Sequence, residues 1–168
     1  MKTLDTEYPN FNTVGETWVT EPAYPAAWQK DSKLSDCNSY LKTVMDFAFF
    51  DRLSMAKNEE TDDWWKGLNR IYNVLCYDYL YANPSAVMAF VENHDTDRFL
   101  ANGKDSTALK QAYALLLTMN RTPQLYYGTE ILSAAGFSER TSLICNVLNG
   151  VFSVGGMLIG VLFLVDRF

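Results

Sequence analysis

The chain is 168 residues long, with 48% hydrophobic, 14% aromatic and 20% charged residues and a net charge of −6. That aromatic share excludes a disordered chain, the length falls short of the roughly 250 residues of a complete eight-stranded α/β barrel, and the acidic balance excludes a nucleic-acid-binding surface. Three cysteines without a C-x-x-C pair and one histidine, His94, exclude a disulfide framework, a zinc ribbon and any multi-histidine centre, so no metal and no cofactor are expected.

Met1–Asn10 carries Asp5 and Glu7 and has no apolar run, so no signal peptide is expected there. Phe11–Glu16 reads as a strand, with Pro9-Asn10 before it and Pro22 and Pro25 after it. Leu41–Phe47 is a second strand candidate, and Phe50–Lys57 a short helix. Thr61 then caps a longer helix, with Asp62 and Asp63 in its first turn and an apolar face of Trp64, Leu68, Ile71, Tyr72 and Leu75. Asn83-Pro84 breaks the chain before Ala86–Val91, a continuously apolar run suited to a strand buried on both faces. Asp105 or Ser106 caps a helix with apolar positions at Leu109, Ala112, Leu116 and Met119, and Pro123–Tyr127 is the fourth strand candidate. Strands alternating with helices predict parallel βα units. Four such units make half a barrel.

The mean hydropathy of −0.12 averages two unlike parts. All of the net charge lies in residues 1–142, and the 23 residues from Leu143 to Val165 carry none. As a helix they would extend ~35 Å, enough to span a bilayer core of about 30 Å. The chain therefore divides into an α/β part over 1–132 and a segment over 133–168 containing a single membrane-spanning helix, 143–165. Membrane association is expected through that helix.

Catalytic groups of a parallel barrel sit where its strands end. Three acids stand at such places: Glu16, Asp46 and Asp95. Each could simply cap a helix or pair with a base such as Arg98. Their neighbours suggest more, since Trp18, Tyr24 and Trp28 follow Glu16, while Asn93 and His94 precede Asp95. Aromatic faces cover the apolar side of a pyranose while acids and amides grip its hydroxyls, and glycoside cleavage needs a proton donor and a carboxylate facing an oxocarbenium-like centre. Trp64 and Trp65, on a helix, are expected to pack in the core.

The segments PNFNTVGETW, VMDF, AFVENHDTDRFL and PQLYYGTEI resemble, in order, strands five to eight of the alpha-amylase family of glycoside hydrolases (family 13), nearest to its neopullulanase and cyclomaltodextrinase-like members. The resemblance spans roughly residues 1–132. It implies a partial (β/α)8 barrel, retaining cleavage of α-glucosidic bonds, and an α-glucan or maltooligosaccharide as ligand. It also implies that Glu16 is the general acid/base, Asp95 the transition-state stabiliser and His94 a substrate-binding neighbour. Asn93 and Trp18 complete the expected substrate-binding set, and Asp46 matches no catalytic position. The family's nucleophile follows strand four, a stretch with no match in residues 1–168, so this chain alone is expected not to hydrolyse glucans.

The segment from Tyr126 to Phe168 resembles part of a major facilitator superfamily sugar porter: Tyr-Tyr then Glu, a Gly-Phe-Ser loop, an apolar helix and a closing Asp166-Arg167. Tyr126–Ile131 fits both families, which implies a joint there. The alternatives to a hydrolase fragment are a membrane-associated, non-catalytic chimera and a relic without function.

Overall fold

The computed structural model describes residues 1–59, 63–100 and 106–129. They fall almost wholly in one compact unit, Met1–Phe99 with the chain up to Tyr126; Leu100 and Tyr127–Thr129 belong to a second. Within the first unit run four short strands, β1 Val14–Gly15, β2 Thr43–Val44, β3 Met88–Phe90 and β4 Thr122–Gln124. Val14 lies beside Thr43 and Gly15 beside Val44, while Met88, Ala89 and Phe90 lie beside Thr122, Pro123 and Gln124. A parallel bridge between Met45 and Met88 joins the two pairs. The order is thus β1-β2-β3-β4, all parallel, as the alternation of strands and helices predicts. Every strand therefore ends on the same side.

Between the strands lie α2 Ala23–Trp28, α3 Phe47–Ala56 and α4 Leu68–Leu75, then α5 Ser106–Thr118; α1 Lys2–Glu7 precedes β1. The sequence places a strand over Leu41–Phe47, but the strand ends at Val44 and a helix begins at Phe47. The cause is Asp46, whose Oδ1 accepts the Phe49 N–H at 2.9 Å. That cap satisfies one of the helix's orphan donors and overrides the apolar run. Pro22 and Pro25, read as turn signals, instead open α2, where a fixed φ and a missing N–H are harmless.

The second correction concerns α4. It begins at Leu68, after Gly67 at φ 57, and residues 63–67 before it are bend and turn; the expected cap Thr61, with Asp62, lies outside the described residues. Only glycine adopts that backbone region without strain. Ile71 and Val74 turn inward against α3, whereas Leu68, Tyr72, Trp64 and Trp65 are exposed, Trp64 by 83%. The expected core role of the two tryptophans does not hold. What fixes this end of α4 is Glu59, whose carboxylate accepts from Gly67 N–H at 3.0 Å and from Arg70 Nε at 2.6 Å and Nη2 at 2.5 Å. The Arg70 hydrogen bonds pull the Glu59 carboxyl down to about 2. In α5, Leu109, Ala112 and Leu116 are buried at the expected helical spacing.

Arg121, just before β4, is the charged centre of the core. Its Nε donates to Asp46 Oδ2 at 3.2 Å, its Nη1 to Asp78 Oδ2 at 3.0 Å and its Nη2 to Asp78 Oδ1, while the guanidinium lies 5.5 Å from the Tyr81 ring. The Arg121 and Asp46 side chains are each 1% exposed. Burial pushes the Asp46 carboxyl above its ordinary value, against the pull of Arg121 and the Phe49 N–H.

No helix among the described residues is long and apolar enough to cross a membrane. The expected span 143–165 and the segment 133–168 lie outside the described residues, as does the Asp105 cap.

Removing Arg121 strands a buried carboxylate, so Arg121→Met should cost about 3–5 kcal/mol in urea unfolding at neutral pH. The loss should shrink as pH falls, because Asp46 has its pKa raised further in the variant and escapes the penalty by protonating. A variant within about 1 kcal/mol of the parent at pH 7 would show that the pair carries no such burden.

Candidate functional site

Because all four strands run parallel, the residues following β1 and β3 emerge at one end. Glu16 follows β1 directly, and His94 and Asp95 follow β3 by a few residues. One donor atom from each of the three lies within 4.8 Å of the others, and all three are exposed. His94 Nε2 and Asp95 Oδ2 are 3.3 Å apart. The structure thus brings together residues 78 positions apart in the chain. Two carboxylates and an imidazole are donor types that a metal ion also uses. Their exposure makes them equally free to meet hydroxyl groups.

Trp18 stands two residues beyond Glu16. Its ring stacks on Phe47 with centroids 4.9 Å apart and planes 19° from parallel, and it is 55% exposed. Phe47, wholly buried, meets Phe90 edge-on at 5.1 Å, and Phe90 stacks on Phe50 at 5.4 Å. One face of the indole is therefore supported from below, and much of the ring stays in solvent. Tyr24 and Trp28, on α2, are exposed as well.

Asn93 is placed differently from Trp18. It is buried, and its Oδ1 accepts the Asp95 N–H at 3.0 Å, while its own N–H donates to Thr96 Oγ1 at 2.9 Å. Among the described residues its Nδ2 has no partner. From there Asn93 shapes the backbone that presents His94 and Asp95. Asp46, set aside in the sequence as structural, is occupied in capping α3 and holding Arg121.

The sequence reading passed over Glu92 and Phe47. Arg98, offered by the sequence as a partner for Glu16, Asp46 or Asp95, pairs with Glu92 at 2.8 Å. The signal was present: a glutamate closing the apolar run AVMAFV, with arginine six residues later. A carboxylate at the end of a buried strand needs a partner. Phe47 was hidden by being assigned to a strand.

The arrangement offers a proton donor or acceptor in Glu16, a facing carboxylate in Asp95, an imidazole beside it and an aromatic platform.

Known proteins share this architecture. A family model described as the alpha-amylase catalytic domain matches residues 1–143. The cyclomaltodextrin glucanotransferase of Geobacillus stearothermophilus is 30% identical over 132 residues, 77% of this chain and 17% of that protein. An alpha-amylase of Niallia circulans is 34% identical over 88 residues, 52% of this chain and 16% of that one. Among solved structures, an Anoxybacillus alpha-amylase superposes with a TM-score of 0.63 at 26% identity, over 77% of this chain and 27% of that chain. The alpha-amylase of Geobacillus thermoleovorans, solved with acarbose, gives 0.62 at 25% identity over 77% and 28%. This chain spans less than a fifth of the length of these curated relatives.

If Trp18 is a supported surface platform, Trp18→Ala should cost no more than about 1.5 kcal/mol, the worth of its aromatic contact. Phe47→Ala beneath it should cost about 3–5 kcal/mol in the same denaturation experiment. Equal losses would make Trp18 a core residue.

Proposed function

Since this chain belongs to the alpha-amylase family, as a piece of its catalytic barrel, we propose that it is the acid/base half of an α-glucan-acting, retaining glycoside hydrolase. The observation that carries the reading is the meeting of Glu16, His94 and Asp95 at one end of the parallel strands, beside a half-exposed Trp18. In this reading Glu16 protonates the glycosidic oxygen and then takes a proton from the incoming water. Asp95 faces the positive charge that develops at the anomeric carbon, His94 holds sugar hydroxyls, and Trp18 covers the apolar face of a pyranose.

A retaining reaction also needs a nucleophile about 5–5.5 Å from the acid. The family resemblance gives that role to an aspartate after strand four, for which residues 1–168 hold no match, and gives Asp95 the stabilising role. Residues 1–168 on their own therefore bind glucan without cleaving it. The relatives named above are one cyclomaltodextrin glucanotransferase and three alpha-amylases; the motifs favour a neopullulanase or cyclomaltodextrinase-like specificity, which is the finer part of this proposal. A membrane span over 143–165 is a separate proposal.

Affinity electrophoresis in gels holding amylose, pullulan or β-cyclodextrin tests the binding reading. The chain should be retarded, and Asp95→Ala and Trp18→Ala should each weaken retention by about tenfold, the order of one charge-assisted hydrogen bond or one aromatic contact. No retardation in any gel would sink the glucan reading. Reducing ends released from starch or pullulan by the purified chain, and lost in Glu16→Gln, would overturn the claim that it cannot cleave alone. The membrane proposal expects the full chain to stay with the pellet in carbonate extraction; release into the supernatant would contradict it.

A further inference from the structure

The loop carrying His94 and Asp95 is closed at its base by a buried carboxylate that the chemistry above leaves unused. Glu92, 1% exposed, ends the apolar run of β3. One of its oxygens accepts from Arg98 Nη1 at 2.8 Å, and the other accepts the Phe99 backbone N–H at 2.5 Å. With both oxygens engaged, the side chain ties residue 92 to residues 98 and 99 and draws residues 93–98 into a ring. The base of that ring is anchored further. The Arg98 guanidinium lies 4.4 Å from the Tyr126 ring, just past β4, and Lys57 Nζ, at the end of α3, lies 4.6 Å from the Phe99 ring.

Inside the ring the backbone is pinned on both sides of His94. Asn93 N–H donates to Thr96 Oγ1, and Asp95 N–H donates to Asn93 Oδ1. A loop fastened at its base and again at its tip leaves the two exposed side chains little choice of position. Precision of this kind decides whether a binding group meets its ligand, since displacement by about 1 Å is enough to lose most of its effect.

We propose that Glu92 is a positioning residue, acting through Arg98 and the Phe99 N–H to hold His94 and Asp95 toward a glucan. The inference rests on the glucan reading of the site for its ligand, and on the loop geometry for the rest. Glu92→Gln tests it by removing the charge and one acceptor, because a glutamine can keep its oxygen on the Phe99 N–H only by turning its NH2 toward Arg98, donor against donor. The structure supplies a control alike in its partners and more exposed, its side chain being 21% accessible against 1% for Glu92. Glu59 likewise accepts from an arginine, Arg70, and from a backbone N–H, that of Gly67, and it takes no part in the proposed site.

The experiment compares the full chain, Glu92→Gln and Glu59→Gln by amide hydrogen exchange, urea unfolding and retardation on amylose. Glu92→Gln should speed exchange at Asn93 and Asp95 by about tenfold and weaken amylose retention by about tenfold under conditions where it is fully folded. Glu59→Gln should lower the urea midpoint with neither change. Should Glu92→Gln fail to fold, Arg98→Lys keeps the charge but loses the planar fork, and should give the same changes in smaller measure. Exchange and retention in both site variants equal to the parent's would overturn the proposal. A parent that does not bind amylose would defeat the glucan reading, and the exchange rates would still decide the role of Glu92.

Discussion

One guanidinium organises this molecule. Arg121 reaches from the start of β4 to Asp46 at the end of β2 and to Asp78 in the turn after α4, all three in or near the buried interior. A charge so placed must be fully paired, since taking an ion out of water costs several kcal/mol that only good geometry offsets. Meeting that requirement aligns three elements at once. Asp46 cannot serve Arg121 without standing at the mouth of α3, where its other oxygen caps the helix.

The site inherits its shape from that point. Capping at Asp46 makes Phe47 the first residue of α3 and turns its ring into the aromatic cluster with Phe90. Trp18 then has a buried surface to stack on, two residues past Glu16. On the other side, Phe90 belongs to β3, whose continuation carries Glu92, His94 and Asp95. Acid, platform and loop thus rest on one packed core. The chain uses the same fastening twice, a glutamate bridging an arginine and a backbone N–H, at Glu92 and at Glu59. At Glu59 the pairing lowers the carboxyl to about 2, so what it contributes is present above the ordinary glutamate range and is lost as pH falls through that value.

Much of this was legible in the sequence, for stated reasons. Alternation of apolar runs with helical patterns gave the parallel βα order, and the N-H-D motif after a buried strand pointed to the end where the site forms. Burial at Leu109, Ala112 and Leu116 followed from periodicity. The misreadings share one cause, a local signal set against a long-range partner. Leu41–Phe47 looks like strand until Asp46 is seen as a cap held in place by a residue 75 positions away. Trp64, Leu68 and Tyr72 look like an inward face until Gly67 and Glu59 rotate the start of α4. For Glu92 the sequence carries the signal of a paired acid, a glutamate closing an apolar run with Arg98 six residues on, while its burial is a tertiary fact. Periodicity cannot show which carboxylate at a strand end is used inside and which faces solvent.

As proposed, Glu16, Trp18, His94 and Asp95 form one glucan-binding surface at the strand ends. Titrating the isotope-labelled chain with maltoheptaose while following its backbone and indole NMR signals tests it most directly. A shared glucan surface should give saturable shifts confined to residues 16–18 and 93–96 and to the Trp18 indole, with Trp64 and Trp65 unmoved. Shifts centred on Trp64 and Trp65, or none at saturating sugar, would contradict it.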